Sequence, residues 1–281
     1  MPYSGGQHRH TTDPNQPTRG TPMQIGIIGT GNIGASIVRA LSAAGHDVAV
    51  ANSRGPQTIP ADLLVDGARP VTSAQAVEGA EVVILSVPLS AIPTLAPLLS
   101  DLPEDATVID TSNYYPGRDG EDLLPAGTVE SLWVSEQLGR PVAKAWNAIG
   151  SASLATKGAP AGTPGRIALP VAADRSIDMQ RARALVEETG FDAYDAGPLA
   201  ESWRQQPGTP AYGTDLTLDS LPGALGRADA ERAPERRDLV VGVFSSWLGA
   251  GVNPDAQWGV AVARLICGGP AGAADDSTAE H

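Results

Sequence analysis

The stretch "IGIIGTGNIGASIV", residues 25–38, joins a strand pattern to a helix pattern through closely spaced glycines. Gly29, Gly31 and Gly34 fit the spacing G-x-G-x-x-G. In such a turn the first glycine permits the bend, the second lets the backbone approach a diphosphate, and the third lets helix and strand pack closely. The N-terminus of the following helix offers N–H groups to an anion. The turn therefore predicts a dinucleotide site formed by Gly29, Thr30, Gly31, Asn32, Ile33 and Gly34.

The segments around this turn predict a βαβ unit. Residues 23–29 form a short apolar run, residues 32–44 place apolar side chains at helical spacing, and residues 47–52 form a second apolar run. A crossover of this kind makes its two strands parallel. Similar alternation predicts further strands over residues 81–88, 106–113, 140–150 and 165–173, and a last strand and turn over residues 191–199. Helices are predicted over residues 73–80, 91–99 (broken) and 174–189. The fold class expected is α/β, a Rossmann-type doubly wound parallel sheet.

The chain divides into three predicted regions. Residues 1–22 have the composition of a disordered leader, and residues 23–206 form the nucleotide-binding domain with an acceptor cleft. Residues 207–281 form a small helical C-terminal extension, whose helices are expected at 236–249 and 255–269. These two apolar helices either complete the core or pair with a second subunit, and we expect a homodimer.

Composition excludes several classes of function. The net charge of −13 over 281 residues argues against a nucleic-acid or acidic-membrane partner, because binding phosphates over a wide surface requires a basic face. Cys267 is the only cysteine, so neither an internal disulfide nor a cysteine-based metal site is expected. The sequence has no apolar run long enough to span a bilayer and no secretory signal, so a cytoplasmic location is expected.

The end of the second strand distinguishes between nicotinamide cofactors. NAD sites usually place an acidic residue there for the ribose 2′-hydroxyl, whereas this chain has Asn52, Ser53 and Arg54. A serine hydroxyl and a guanidinium suit a 2′-phosphate, so NADP(H) is predicted. Residues at the ends of the next two strands are expected to line the nicotinamide and its ribose: Ser86, Val87, Pro88 and Asn113.

Together these residues resemble the F420-dependent NADP oxidoreductases, which pass hydride between NADP(H) and the deazaflavin coenzyme F420. The similar segments include "VVILSVP", "VAKAWNAI" and "FDAYDAGPLAES", and the resemblance spans residues 23–205. It implies that residues 52–54 hold the 2′-phosphate. It also implies that Trp146, Asn147 and Ile149 form the floor beside the nicotinamide and deazaflavin, and that Gly197, Pro198 and Leu199 close the same cleft.

No catalytic residue is evident. The histidines are His8, His10, His46 and His281, and neither they nor the two lysines suggest a proton donor. Transfer between two redox rings needs mainly alignment, which suits such a site. Tyr114 and Asn147 are the catalytic candidates. Tyr114, Tyr115 and Tyr212 are acids or stacking surfaces in principle, with packing the favoured role for each. The alternatives are an NADPH-dependent reductase of a small imine or carbonyl compound, and a non-catalytic NADP(H)-sensing protein.

Overall fold

The computed structural model describes residues 21–251 and 255–268. Residues 1–20 of the predicted leader and residues 269–281, with His8, His10 and His281, lie outside this part of the chain. The bounds proposed for the three regions remain predictions.

The described residues contain one sheet of eight strands. The strands are β1 (Gln24–Ile28), β2 (Asp47–Ala51), β3 (Arg69–Pro70), β4 (Val82–Leu85), β5 (Thr107–Asp110), β6 (Ala143–Lys144), β7 (Ala168–Ala173) and β8 (Asp192–Asp195). Their spatial order is β3-β2-β1-β4-β5-β6-β7-β8. The pairs are parallel except for β6 with β7, which is antiparallel. Because β1 lies between β2 and β4, the strand order reverses there and a crevice opens at its carboxyl end.

The same residues contain ten helices. They are α1 (Asn32–Ala44), α2 (Ser73–Val77), α3 (Ala96–Leu99), α4 (Pro116–Asp119), α5 (Glu130–Leu138), α6 (Ser151–Thr156), α7 (Ser176–Glu188), α8 (Leu221–Gly226), α9 (Ala233–Gly249) and α10 (Ala256–Cys267). Short 3-10 segments occupy Pro56–Thr58, Ala61–Leu63, Leu89–Leu95 and Leu199–Gln205.

Both faces of the sheet are buried. Along β4, Val82 and Ile84 join the core that contains residues of α1, α6 and α7. The alternate residues, Val83 and Leu85, join a second core with residues of α3 and α5. Successive side chains of a strand point to opposite faces, so a continuous apolar run is what a sheet covered on both sides requires. The predicted doubly wound α/β fold is confirmed.

Predictions about several individual elements were wrong or incomplete, and β3, α4, α5 and α6 were not predicted. The strand expected over residues 140–150 is limited to Ala143–Lys144, because Trp146 adopts a left-handed φ of 56° and turns the chain out of the sheet. Only two helices were predicted beyond residue 200, and α8 is a third. Its sequence contains Pro222 and two glycines, which weaken the helical pattern.

The helical C-terminal region is confirmed as the pair α9 and α10. Trp258 of α10 packs against Phe244 and Trp247 of α9, with ring centroids 5.1 Å apart in both pairs. The first turn of α9 rests directly on backbone at Gly208, whose φ is +90°. A Cβ at this glycine would lie 1.9 Å from the carbonyl oxygen of Ala233, so only glycine permits the contact. Within residues 21–251 and 255–268, every helix is too short or too polar to cross a membrane.

Candidate functional site

Two of the three motif glycines are required by the fold itself. Gly29 follows β1 with a φ of +113°, and a Cβ there would lie 2.0 Å from the carbonyl oxygen of Ser86. A Cβ on Gly34 would lie 2.1 Å from the carbonyl oxygen of Gly29. These contacts let α1 pack closely against the ends of β1 and β4, as the motif predicts.

Gly31 is different, because no contact among residues 21–251 and 255–268 explains it. Its φ of −69° is open to any residue, and in the part of the chain that the structure describes no other residue approaches within 4 Å of the position that a Cβ would take. It is exposed at the N-cap of α1, and no side chain caps that helix. The glycine therefore leaves space beside the free N–H groups of a helix start, as a bound diphosphate requires.

The turn after β2 is organised by Asn52. Its side-chain oxygen accepts a hydrogen bond from the backbone N–H of Arg54 at 2.9 Å. Its amide group donates to Thr58 Oγ1 at 3.0 Å and to Thr30 Oγ1 at 3.4 Å, which ties the two turns together. Ser53 and Arg54 are exposed, and the Arg54 guanidinium makes no hydrogen bond or ion pair with the residues described. This guanidinium is available to an anion.

Asn113 and Asn147 come together at the carboxyl end of β5. The Asn113 amide donates to the Asn147 carbonyl oxygen at 3.0 Å, and the Asn147 amide donates to Asn113 Oδ1 at 3.1 Å. The Gln205 amide donates to Asn147 Oδ1 at 2.9 Å. Because these bonds occupy the buried Asn147 side chain, its role here is to position Asn113. Ser86 and Val87 are half-buried and Pro88 is exposed at the adjoining end of β4.

Several residues assigned to the cleft have side chains elsewhere. The Trp146 ring is 1% exposed in the core, and its Nε1 donates to Thr189 Oγ1 at 3.1 Å. Ile149 and Leu199 are also buried in core clusters. The expectation that these side chains line the cleft is corrected. The left-handed backbone of Trp146 accounts for part of this difference, because it redirects the chain just after β6.

Tyr114 also has a structural environment. Its hydroxyl lies 2.8 Å from the Gly120 carbonyl oxygen and 2.9 Å from that of Glu121. Burial raises the pKa of this hydroxyl. With its proton directed to the backbone, Tyr114 has no free donor for a substrate.

The other two tyrosines form a pair that the sequence did not reveal. The hydroxyl oxygens of Tyr115 and Tyr212 are 2.6 Å apart, and the Asn113 amide lies 3.3 Å from the Tyr212 hydroxyl. Burial raises the pKa of both hydroxyls, so both keep their protons at neutral pH. The pair lies one hydrogen bond from the wall expected beside the nicotinamide.

Buried charged side chains lie next to this region. Lys144 is fully buried, and its ammonium donates to Asp110 Oδ2 at 2.8 Å. Glu130 is 3% exposed, and its Oε2 has no hydrogen-bond partner among the described residues. Burial raises the pKa of Glu130 to about 7, and the Lys144 charge opposes this rise.

His46 lies elsewhere, with Nε2 2.5 Å from Glu188. The residues described hold no cluster of three or more His, Cys, Asp or Glu side chains suited to a metal ion.

Comparison with known protein families gives a match over the first part of the described chain. The family model for coenzyme F420-dependent NADP oxidoreductases matches residues 24–114. This chain belongs to that family. The family match covers the glycine turn, the residues at the end of β2 and the ends of β4 and β5. The chain is thus a member of a family of nicotinamide-dependent oxidoreductases. The match ends at Tyr114, so the Tyr115–Tyr212 pair lies beyond it.

Individual relatives extend the likeness. A hypothetical protein, SMa0349 from Sinorhizobium meliloti, is 31% identical, with a TM-score of 0.61 over 69% of this chain and 95% of that one. YjhV of Escherichia coli (strain K12) is 50% identical over 95 residues, which are 34% of this chain and 67% of that protein. A proposed F420-dependent NADP reductase from Arthrobacter sp. FB24 is 19% identical with a TM-score of 0.51, and covers 64% of this chain and 87% of that one. This last likeness concerns the fold alone.

Proposed function

We propose that this protein exchanges hydride between NADP(H) and the deazaflavin coenzyme F420. The observation that carries the cofactor half is the open space at Gly31, since the fold gives no reason of its own for that glycine. The family match supports F420 as the second substrate.

The preference for NADP(H) over NAD(H) rests on the turn after β2. Asn52 fixes the backbone of Arg54 through a 2.9 Å hydrogen bond, and the Arg54 guanidinium remains exposed. A guanidinium binds phosphate oxygens with charge-assisted hydrogen bonds, and no carboxylate follows Asn52 to repel a 2′-phosphate. The proposed contacts with the adenosine ribose therefore come from residues 52–54.

When bound, the two cofactors supply the redox chemistry, with hydride passing between their rings. The protein's task is alignment and exclusion of water. The mutual hydrogen bonds of Asn113 and Asn147 hold the end of β5 in one position beside the expected nicotinamide. Ser86, Val87 and Pro88 form the proposed opposite wall.

A second candidate function is reduction of a small imine or carbonyl compound. The Tyr115–Tyr212 pair favours it, because such a reaction needs a proton as well as a hydride. The acceptor carbon would take the hydride from NADPH, its nitrogen or oxygen would take the Tyr212 proton, and Tyr115 would return a proton from solvent.

One experiment separates these functions. NADPH is mixed with oxidised F420, and loss of the deazaflavin absorbance is followed for the wild type and for Gly31→Ala, which has room for its methyl group. We expect bleaching by the wild type and loss of it in the variant. Activity only with a small imine or carbonyl acceptor would support the second function instead. Tight NADPH binding with no turnover of any acceptor would support an NADP(H)-sensing protein.

We also propose a homodimer through α9 and α10. Large apolar side chains are exposed on α9, including Leu239 at 54%, Trp247 at 43% and Leu248 at 55%, and Leu265 of α10 is 83% exposed. Exposed apolar surface of this kind marks protein interfaces. Light scattering should give twice the chain mass for the wild type and a lower mass for Leu248→Glu. A monomeric wild type contradicts this proposal.

A further inference from the structure

Two cavities meet at one arginine beyond the cofactor cleft. A cavity of 490 Å³, the hairpin cavity, lies between the α9–α10 pair and the loops that carry Tyr115 and Tyr212. A second cavity, of 590 Å³, contains Glu130 and Glu121 in its lining. Arg237 of α9 lines both of them.

Arg237 is a mostly buried cation with unused donors. Its side chain is 11% exposed, and its Nε donates to Asp238 at 2.8 Å. Asp238 is 61% exposed, so water competes for this contact. The two terminal nitrogens of Arg237 donate no hydrogen bond to any residue in the described ranges. The Arg237 guanidinium carbon lies 5.5 Å from the centroid of the Tyr114 ring, a cation–π contact that stabilises the charge but uses none of its N–H donors. Because the terminal donors still lack acceptors, this position favours an anionic ligand.

The hairpin cavity suits an anion better than the second cavity does. The two glutamates of the second cavity would repel a negative charge there. The hairpin cavity has one acid, Asp255, whose carboxylate caps α10 by accepting from the Trp258 N–H at 2.8 Å. Its remaining lining is largely apolar, with Val240, Phe244 and Val260 among it.

This cavity also borders the cofactor cleft. Tyr115 and Tyr212 line it, and Tyr212 lies 3.3 Å from the amide of Asn113. A ring held against the tyrosine pair would therefore be close to the wall proposed for the nicotinamide, while its charged substituent could reach Arg237.

We infer that the hairpin cavity is the hydride-acceptor site, and that it selects acceptors carrying a carboxylate or phosphate, which Arg237 binds. The inference rests on the proposed function in assuming that an acceptor binds beside the nicotinamide. The anion belongs either to the phosphate and glutamate side chain of F420 or to a small substrate acid.

The first test compares F420 with the same deazaflavin carrying an uncharged ribityl chain. In Arg237→Met, whose side chain keeps an apolar stem, KM for F420 should rise at least about tenfold. KM for the uncharged deazaflavin and for NADPH should stay within about twofold. Arg232→Met is the matched control, because Arg232 is 68% exposed at the start of the same helix, and it should change none of the three. An unchanged KM for F420, or equal rises for both deazaflavins, overturns the inference.

A second measurement does not depend on deazaflavin turnover. With NADP⁺ saturating, the rise in Tm caused by inorganic phosphate, relative to chloride at equal ionic strength, should occur in the wild type and Arg232→Met and be lost in Arg237→Met. If the wild type reduces neither deazaflavin, F420 is rejected as the substrate, and the phosphate measurement alone then tests the anion site. An equal rise in Arg237→Met overturns that site.

Discussion

The two sides of the proposed cleft are built in opposite ways. On the nucleotide side, six consecutive residues from Gly29 to Gly34 form the turn, and short contacts within it fix its shape. On the acceptor side, Tyr115, Tyr212 and Arg237 come from distant parts of the chain and meet only in the folded protein. A site encoded locally can be recognised in a sequence, whereas one assembled by tertiary contacts requires the structure.

The family comparison follows the same division. The match spans residues 24–114 and ends just before Tyr115. The nucleotide side is therefore shared with the family, and the acceptor side has to be understood from this chain's own residues. The following predictions probe that contrast, from the largest expected effect to the smallest.

The largest effect is expected within the glycine turn itself. Gly34→Ala should destabilise the fold by about 3 kcal/mol or more, because its Cβ would meet a backbone oxygen that has little room to move. Gly31→Ala should keep the wild-type Tm and lose about 3 kcal/mol of NADPH affinity, about a hundredfold. Thermal unfolding and NADPH titration measure both. A destabilised Gly31→Ala that still binds NADPH normally would contradict the distinction between these glycines.

In the second cavity beside Arg237, the buried carboxyl of Glu130 should make stability depend on pH. Its pKa is about 7 in the folded protein and near 4.5 when unfolded. The contribution of the protonated Glu130 carboxyl to the free energy of unfolding is therefore complete below pH 4.5, and it is lost as the pH rises through 7. The Glu130→Gln side chain has no carboxyl to ionise. As the pH rises from 4.5 to 8, the free energy of unfolding of this variant should therefore increase by up to about 3 kcal/mol relative to that of the wild type. Urea unfolding at both pH values measures this, and an unchanged difference between the two proteins would refute it.

The tyrosine pair distinguishes the two candidate reactions. If a small imine or carbonyl compound is reduced, Tyr212→Phe should lower kcat about a hundredfold, the scale of general acid catalysis, with little change in KM for NADPH. Tyr194→Phe, a substitution on β8, is the control. With F420 as acceptor the effect should be far smaller, because alignment of the two rings dominates. A large loss in the control would mean that packing, rather than proton supply, is responsible.

The smallest effect is expected at the end of β2. Arg54→Ala should weaken NADPH binding by about 1.5–3 kcal/mol, the range for hydrogen bonds to charged groups, and NADH binding much less. Arg39→Ala provides a control in the same region, since Arg39 is 47% exposed and paired with Asp62. Equal losses for the two cofactors would remove the assignment of a 2′-phosphate to Arg54.

The fold and the glycine turn were predictable because their signals are local. Buried parallel strands appear as short apolar runs, and the motif glycines have fixed spacing. The left-handed φ of Trp146 was not predictable, because it occurs together with tertiary contacts of the ring, which is buried in the core and donates to Thr189. The role of Arg237 could not be predicted from the sequence either, since its burial depends on how α9 docks.

The contact between α9 and Gly208 limits how the sequence of this protein can diverge. The helix that carries Arg237 meets the loop backbone to backbone, with no side chain between them to grow or shrink. Substitutions can alter what the helix displays, but they have little means of tilting or lifting it. Divergence toward a new acceptor would then proceed by substitution of residues on α9, while the helix keeps its position. Insertions near position 208 would be selected against.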